Sequence, residues 1–293
     1  RDFTINTLAL RLDGRHYGEL YDYWGGLVDL KSKQLKVLHS LSFVDDPTRI
    51  LRAVRYEQRY QFNIDDRTQE LLLEAKELLK RVSGDRIRHE LDRIFEEERG
   101  SRMLIRLNEL SILEAIHPDL YYDDSYKSLE NCLKGKTPPE EWIIEDDGSG
   151  LDLNRSLCYT IWLMRIPSFQ KITHRLRLVS SLAEIIKQAA ELRDQLPELS
   201  GLPASQITSQ LDRISNLAIY AVYLDLKQPE LKGILSRYLS SWQHIQSNIT
   251  GKDLQERNLA PGPRYSEILT IIRDAWLDGE IENKKEEKAL LEC

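Results

Sequence analysis

Beyond Asp45, apolar residues recur at helical spacing through almost the whole chain, and a helical assembly is the arrangement that buries such a pattern. Leu71, Leu72, Ala75, Leu78 and Leu79 form one stripe, behind a helix start at Asp66 with Gln69 at its third position. Ile87, Leu91, Ile94 and Phe95 form a second, with Ser83 as its expected N-cap. Leu182, Ile185, Ile186, Ala189 and Leu192 give a third. Pro138-Pro139 and Asp147-Gly148-Ser149-Gly150 mark loops between helical groups, and Leu196 to Pro203 is the best boundary before the last group. Residues 1–44 mix helix and strand signals, and no internal repeat is visible. The expected fold class is mainly α, preceded by a small α/β portion.

Among the helical segments, Phe43-Val44-Asp45-Asp46-Pro47-Thr48-Arg49-Ile50-Leu51-Arg52-Ala53-Val54-Arg55-Tyr56 is chemically the most specific. Asp46, Arg49, Arg52 and Arg55 follow in steps of three, which places them on neighbouring positions of one helix face. A carboxylate that accepts beside a guanidinium that donates is what one edge of a nucleobase requires, and the later arginines could hold phosphates. The same residues also make an ordinary helix start, with a capping aspartate, Pro47 in the first turn and a solvated arginine face. The spacing alone does not separate the two readings.

Three further segments surround this helix in a fixed order. They are Arg1-Asp2-Phe3-Thr4-Ile5-Asn6-Thr7, Trp24-Gly25-Gly26-Leu27-Val28-Asp29-Leu30, and Asp85-Arg86-Ile87-Arg88-His89-Glu90-Leu91. Together with the arginine helix they resemble the class II tRNA nucleotidyltransferases, the CCA-adding enzymes, and the bacterial poly(A) polymerases of the same superfamily. There the segments RRDFTxN, GGxxDL, EDxxRxLRAxRF and ERIxxEL follow one another in this way. Asp45 stands where the family usually has glutamate, and Tyr56 where it has phenylalanine. The resemblance returns in Ile249-Thr250-Gly251-Lys252-Asp253-Leu254 and Pro261-Gly262-Pro263-Arg264.

The resemblance implies a remnant of a nucleotidyltransferase head over residues 1–44, a base-reading helical neck over 45–118, a helical body over 119–200 and a tRNA-binding tail over 201–293. It implies that Arg1 contacts the incoming triphosphate, that Asp2 and Asn6 help set the sugar pocket, and that Asp46 and Arg49 read cytosine or adenine with Arg52 and Arg55 in support. The exocyclic amine of C or A donates to the carboxylate, whereas G and U present the opposite pattern there and are rejected. The implied activity is addition of C, A or both to the tRNA 3′ end from CTP and ATP. Related expectations are a poly(A) polymerase and, from another class, a non-catalytic RNA-binding module that retains the scaffold.

The family's catalytic pair of carboxylates, which holds two Mg²⁺ ions, belongs to a segment ahead of its RRDF motif. Asp123-Asp124 and Asp146-Asp147 have neither the DxD spacing nor a preceding glycine turn. The expectation is therefore that this chain contains no catalytic or metal-binding residue, associates with the upstream part of the head, and is inactive alone.

Two features near the site read first as architecture. Gly25-Gly26 reads as a tight turn between extended segments, since Tyr21, Tyr23, Val28 and Leu30 look strand-like. By the resemblance it is a hinge that bears on the switch from C to A addition. In the tail, Ala260-Pro261-Gly262-Pro263-Arg264 precedes a helix carrying Ile268, Leu269, Ile272 and Trp276 that ends at Gly279. It reads as a turn first and a phosphate-holding helix start second, with Arg264 as an RNA contact.

With 41% hydrophobic and 30% charged residues the chain is globular, and no apolar run approaches the ~20 residues that span a bilayer. Three cysteines, Cys132, Cys158 and Cys293, are sparse and unpatterned, which gives no zinc site and suggests a reducing compartment, the cytoplasm. A net charge of −7 argues mildly against nucleic-acid binding for the chain as a whole. Basic residues nevertheless gather in Arg49–Arg59, in Arg86–Arg93, and in Lys171, His174 and Arg175, the last a candidate RNA-contacting face.

Overall fold

Asp22 directs the chain into its first helix. Its carboxylate accepts the Gly26 and Leu27 N–H groups at 2.8 and 2.9 Å, and Gly25 takes a left-handed conformation at φ +73°. Helix α1 (Gly26–Lys31) follows. Val28 and Leu30 are therefore helical rather than extended, because a side-chain cap for the first orphan N–H groups overrides their local strand preference. A Cβ on Gly26 would lie 2.4 Å from the Thr4 carbonyl oxygen, so this glycine is required for the close approach of α1 to the N-terminal segment.

The computed structural model describes residues 1–133, 138–139, 142–144, 150–257, 259 and 262–291. It contains two units, one of residues 1–136 with 148–183 and one of 137–147 with 184–293. In the first, β1 (Ala9–Leu10) pairs antiparallel with β2 (Leu20–Tyr21), and β3 (Gln34–Leu35) pairs parallel with β4 (Asn63–Ile64). The crossover between β3 and β4 is made by α2 (Ser42–Asp45) and α3 (Arg49–Tyr60). Ile50, Leu51, Ala53 and Val54 bury the inner face of α3, which ends at Gln61 in the left-handed region with its N–H on the Glu57 carbonyl.

Helix α4 (Asp66–Ala75) is capped by Asp65, whose carboxylate accepts the Thr68 N–H at 3.3 Å, one residue ahead of the expected start. A 3₁₀ segment, Lys76–Arg81, continues it and buries Leu79. Helix α5 (Gly84–Phe95) starts after Ser83 as the pattern predicts, although the Ser83 hydroxyl caps nothing. Its expected stripe of Ile87, Leu91, Ile94 and Phe95 is buried. Helices α6 (Gly100–Glu109), α7 (Ile112–Ile116), α8 (Lys127–Leu133), α9 (Leu153–Leu163) and α10 (Phe169–Arg175) complete this unit.

Helix α11 (Ser180–Leu199), most of which belongs to the second unit, runs on through Pro197 and buries Leu182, Ile185, Ile186, Ala189 and Leu192. Then come α12 (Ala204–Leu211), α13 (Asn216–Asp225), α14 (Pro229–Ser240), α15 (Gly251–Glu256), α16 (Pro263–Asp278) and α17 (Lys284–Leu290). Ile249, Leu254, Ile272, Ala275 and Ile281 form a terminal core against which Ile268, Leu269 and Trp276 pack. Glu287 is buried beside it and accepts from the Ser247 hydroxyl at 2.9 Å and the Asn248 N–H at 2.7 Å. The mainly α class with a small α/β portion is observed. Of the expected loops, Pro138-Pro139 and Gly150 are described, while Asp147–Ser149 lie outside the described residues.

Candidate functional site

Asp46 leaves α2 in an extended conformation and turns back over the start of α3. Its Oδ1 accepts from the Thr48 N–H at 3.0 Å and the Thr48 hydroxyl at 2.7 Å, so the carboxylate supplies the bond that a helix start needs. Arg86 of α5 adds a third bond to the same oxygen at 2.7 Å. Burial raises the Asp46 carboxyl, but the Thr48 bonds and the Arg86 charge outweigh it and hold the group below the usual carboxylate range. Among the described residues, Oδ2 takes no hydrogen bond.

Arg49 Nη1 donates to the Ser42 carbonyl at 3.1 Å and to the Ser42 hydroxyl at 2.8 Å, leaving Nη2 without a hydrogen bond among the described residues. Its Nε lies 3.1 Å from Asp2 Oδ1, close enough for ionic attraction but out of line for a hydrogen bond. Arg52 meets the other oxygen of Asp2 and approaches Glu90 at 4.0 Å. Asp2 is buried, so its charge is compensated by two arginines from α3. Arg1, next to it, is exposed. Asn6 ends a short 3₁₀ turn, and its buried Oδ1 has no hydrogen-bond partner among the described residues.

Arg55 differs from the other three. It is buried, 3.3 Å from Glu90 and 3.6 Å from Glu97, and it ties α3 to the end of α5. The structure thus brings together Asp2, Asp46, Arg49 and Arg52, with Arg55 deeper on the same helix. Asp46 and Arg52 line an open cavity of about 570 Å³ together with Arg86, Arg88, His89 and Arg93 of α5. None of the site residues expected from the sequence lies on α5. The signal for its part in the site was the basic cluster Arg86–Arg93, whose residues line one cavity with Arg52 only once the chain has folded. Asp92 lines the same cavity, and burial raises its carboxyl even though the Tyr159 hydroxyl donates to it at 2.8 Å.

The candidate RNA residues are more dispersed. Lys171 and His174 are exposed on α10. Arg175 turns inward, donating to the Leu79 carbonyl at 2.8 Å and the Ile116 carbonyl at 3.2 Å. Arg264 is exposed in the first turn of α16, in the second unit. Ala260 and Pro261 of the turn before it lie outside the described residues. A second cavity, about 440 Å³, is lined by residues that include Arg102, Arg106, Asp123 and Lys127. Its Arg106 is held by Glu57 at 3.0 Å and Glu109 at 3.2 Å.

Comparison with known proteins places three family models on the chain. Residues 1–36 match "Poly A polymerase head domain", 61–123 match "Probable RNA and SrmB-binding site of polymerase A", and 239–293 match "tRNA nucleotidyltransferase domain 2". An A-adding tRNA nucleotidyltransferase of Geobacter sulfurreducens is 31% identical over 98% of this chain, which spans 34% of that relative's length. A solved structure of a CCA-adding enzyme in complex with ATP is 31% identical, with a TM-score of 0.77 over 99% of this chain and 70% of the other. The Thermotoga maritima CCA-adding enzyme complexed with tRNA is 30% identical, with a TM-score of 0.75 over 98% and 70%.

Proposed function

This chain belongs to the class II tRNA nucleotidyltransferases, and on that premise we propose that it forms part of an enzyme that transfers AMP, CMP or both from ATP and CTP to the 3′ end of tRNA. The A-adding relative of Geobacter sulfurreducens, matched over 98% of this chain, favours A addition. Under this proposal residues 1–44 close the head, 45–118 form the base-reading neck, 119–200 the body and 201–293 the tail that binds tRNA in the cytoplasm.

The observation that carries the reading is the division of labour within two side chains. Asp46 is anchored through Oδ1 and keeps Oδ2 uncommitted, while Arg49 is anchored through Nη1 and keeps Nη2 uncommitted. A fixed acceptor and a fixed donor are what a template made of protein needs. Oδ2 takes the exocyclic amine of adenine or cytosine, and Nη2 donates to the adjacent ring nitrogen. In the comparable DNA case such a bidentate pair discriminates by ~1–3 kcal/mol. Asp2 holds Arg49 and Arg52 in place, and Arg1 and Arg52 neutralise the triphosphate. Arg55 supports the helix from beneath.

Mg²⁺, when bound, aligns the 3′-hydroxyl and stabilises the leaving pyrophosphate. Among the described residues no group of three or more His, Cys, Asp or Glu side chains is placed to hold a metal ion. In the full-length enzyme the ion would be held by carboxylates of the head that lie outside this chain.

The test uses the full-length protein with Mg²⁺, each NTP in turn, and tRNAs that lack CCA, end in CC or end in CCA. Addition of one to three C or A residues confined to tRNA is expected, and A alone if the enzyme matches its A-adding relative. Long A tracts on any RNA would instead move the assignment to poly(A) polymerase, which two of the matching family models name. The variant Asp46→Ala with Arg49→Ala should lose its preference for C and A over G and U, and retained preference would overturn the template.

A further inference from the structure

Helices α8 and α9 bring together two cysteines that are 26 residues apart in the chain. The Cys132 and Cys158 sulfurs lie 3.1 Å from one another, nearer than Cys132 Sγ lies to its next partner, Asn154 Oδ1 at 3.3 Å. Both are free thiols and both are buried. Among the described residues they belong to no group of three or more His, Cys, Asp or Glu side chains placed to hold a metal ion. Two thiols in contact inside a packed interface have one further chemistry open to them.

We propose that Cys132 and Cys158 form an oxidisable dithiol, a modification site at which a peroxide-class oxidant joins α8 covalently to α9. One thiol, as its thiolate, attacks a peroxide oxygen. The O–O bond breaks, one water leaves and a sulfenic acid forms. The second sulfur then attacks the first, the S–S bond forms, and the sulfenic oxygen departs as a second water with the remaining thiol proton. Two thiols and one peroxide thus give one disulfide and two waters. Closing the sulfurs from 3.1 Å to the bonded length of about 2.05 Å is a displacement of the size that side-chain torsions supply.

The contact with the Cys132 sulfur, and then burial, push the Cys158 thiol well above its ordinary range. The thiolate is therefore scarce, and the pair reacts slowly and resists mild thiol–disulfide exchange. A small neutral peroxide reaches a buried sulfur more readily than a bulky disulfide does. Once formed, the bond closes a chain loop around the connection between α8 and α9, which restricts the unfolded chain.

The experiment treats the full-length protein with hydrogen peroxide, blocks remaining thiols with an alkylating reagent, and maps peptides by mass spectrometry without reduction. Expected is a Cys132–Cys158 cross-linked peptide that has lost two hydrogens, dissolves on reduction and accompanies a rise in Tm of about 5 °C. Cys132→Ser and Cys158→Ser should each abolish the rise, whereas Cys293→Ser, outside the described residues, should leave it unchanged. Recovery of Cys132 and Cys158 both alkylated after unfolding, with oxidation confined to other cysteines, would overturn the proposal. The peptide map of the unmutated protein decides this even if a serine variant fails to fold.

Discussion

At the scale of single residues, the site is a row of arginines whose partners differ in kind. Asp46 was legible as the member of an i, i+3 pair with Arg49, because both lie in one short segment. Its contact with Arg86 and the clasp of Asp2 on Arg49 and Arg52 were not, since nothing local announces which distant charge a side chain meets. Asp46 has a lowered carboxyl, so its charge-dependent contribution is fully present above the ordinary carboxylate range and is lost as pH falls through the lowered value. The base preference of the full-length enzyme should accordingly persist through mildly acidic pH. In Arg86→Ala the loss should set in at higher pH, and an unchanged profile would remove Arg86 from the account.

Glu90 gives a sharper stability prediction, because Glu90 and Arg55 are both buried. Glu90→Ala leaves the Arg55 guanidinium with Glu97 alone at 3.6 Å and should cost about 3 kcal/mol in urea unfolding. A cost below ~1 kcal/mol would mean that solvent reaches Arg55 after all.

At the scale of elements, the helical stripes were readable because burial obeys the 3.6-residue period, and Ile87, Leu91, Ile94 and Phe95 are buried together as that period requires. Helix starts were less readable. Helix α4 begins at Asp66 as expected, but its cap is Asp65, since adjacent aspartates offer the same chemistry and only backbone geometry chooses between them. Gly25-Gly26 reads as a turn between strands because its cap, Asp22, lies four residues upstream of Gly26, beyond the usual N-cap position. The stretch Leu196–Pro203, expected as a boundary, contains the end of α11 at Leu199, although the helix runs on through Pro197 to reach it.

Glycines show how tightly these elements meet. A Cβ on Gly84 would stand 2.1 Å from the Arg175 carbonyl oxygen, so Gly84→Ala must part α5 from the end of α10 and should cost about 2 kcal/mol or more. Gly233, in α14, has no described residue outside its own helix backbone within 4 Å of such a Cβ, and Gly233→Ala should stabilise by up to about 1 kcal/mol. Thermal unfolding of the two variants, compared side by side, checks both signs.

At the scale of the whole molecule, the net charge of −7 and the cysteine count each mislead in the same way. A sum over the chain cannot report that Arg86, Arg88 and Arg93 share one cavity with Arg52, and a count of three cannot report that two sulfurs touch. If tRNA binds through such local basic surfaces, its affinity should fall about tenfold or more between roughly 50 and 200 mM salt, with log K linear in log salt. Filter binding across that range measures the slope, and a flat line would rule out phosphate contacts.

The clasp between Asp2 and the two arginines of α3 has a consequence in time as well as in space. During synthesis Asp2 leaves the ribosome well before its partners. At about 5–20 residues per second, the intervening stretch of roughly 50 residues takes about 3–10 s to appear. For that interval the segment around Asp2 lacks the cations that let its carboxylate be buried, so it must wait as open nascent chain. The junction at Asp2 is sealed only when the polypeptide has returned to it.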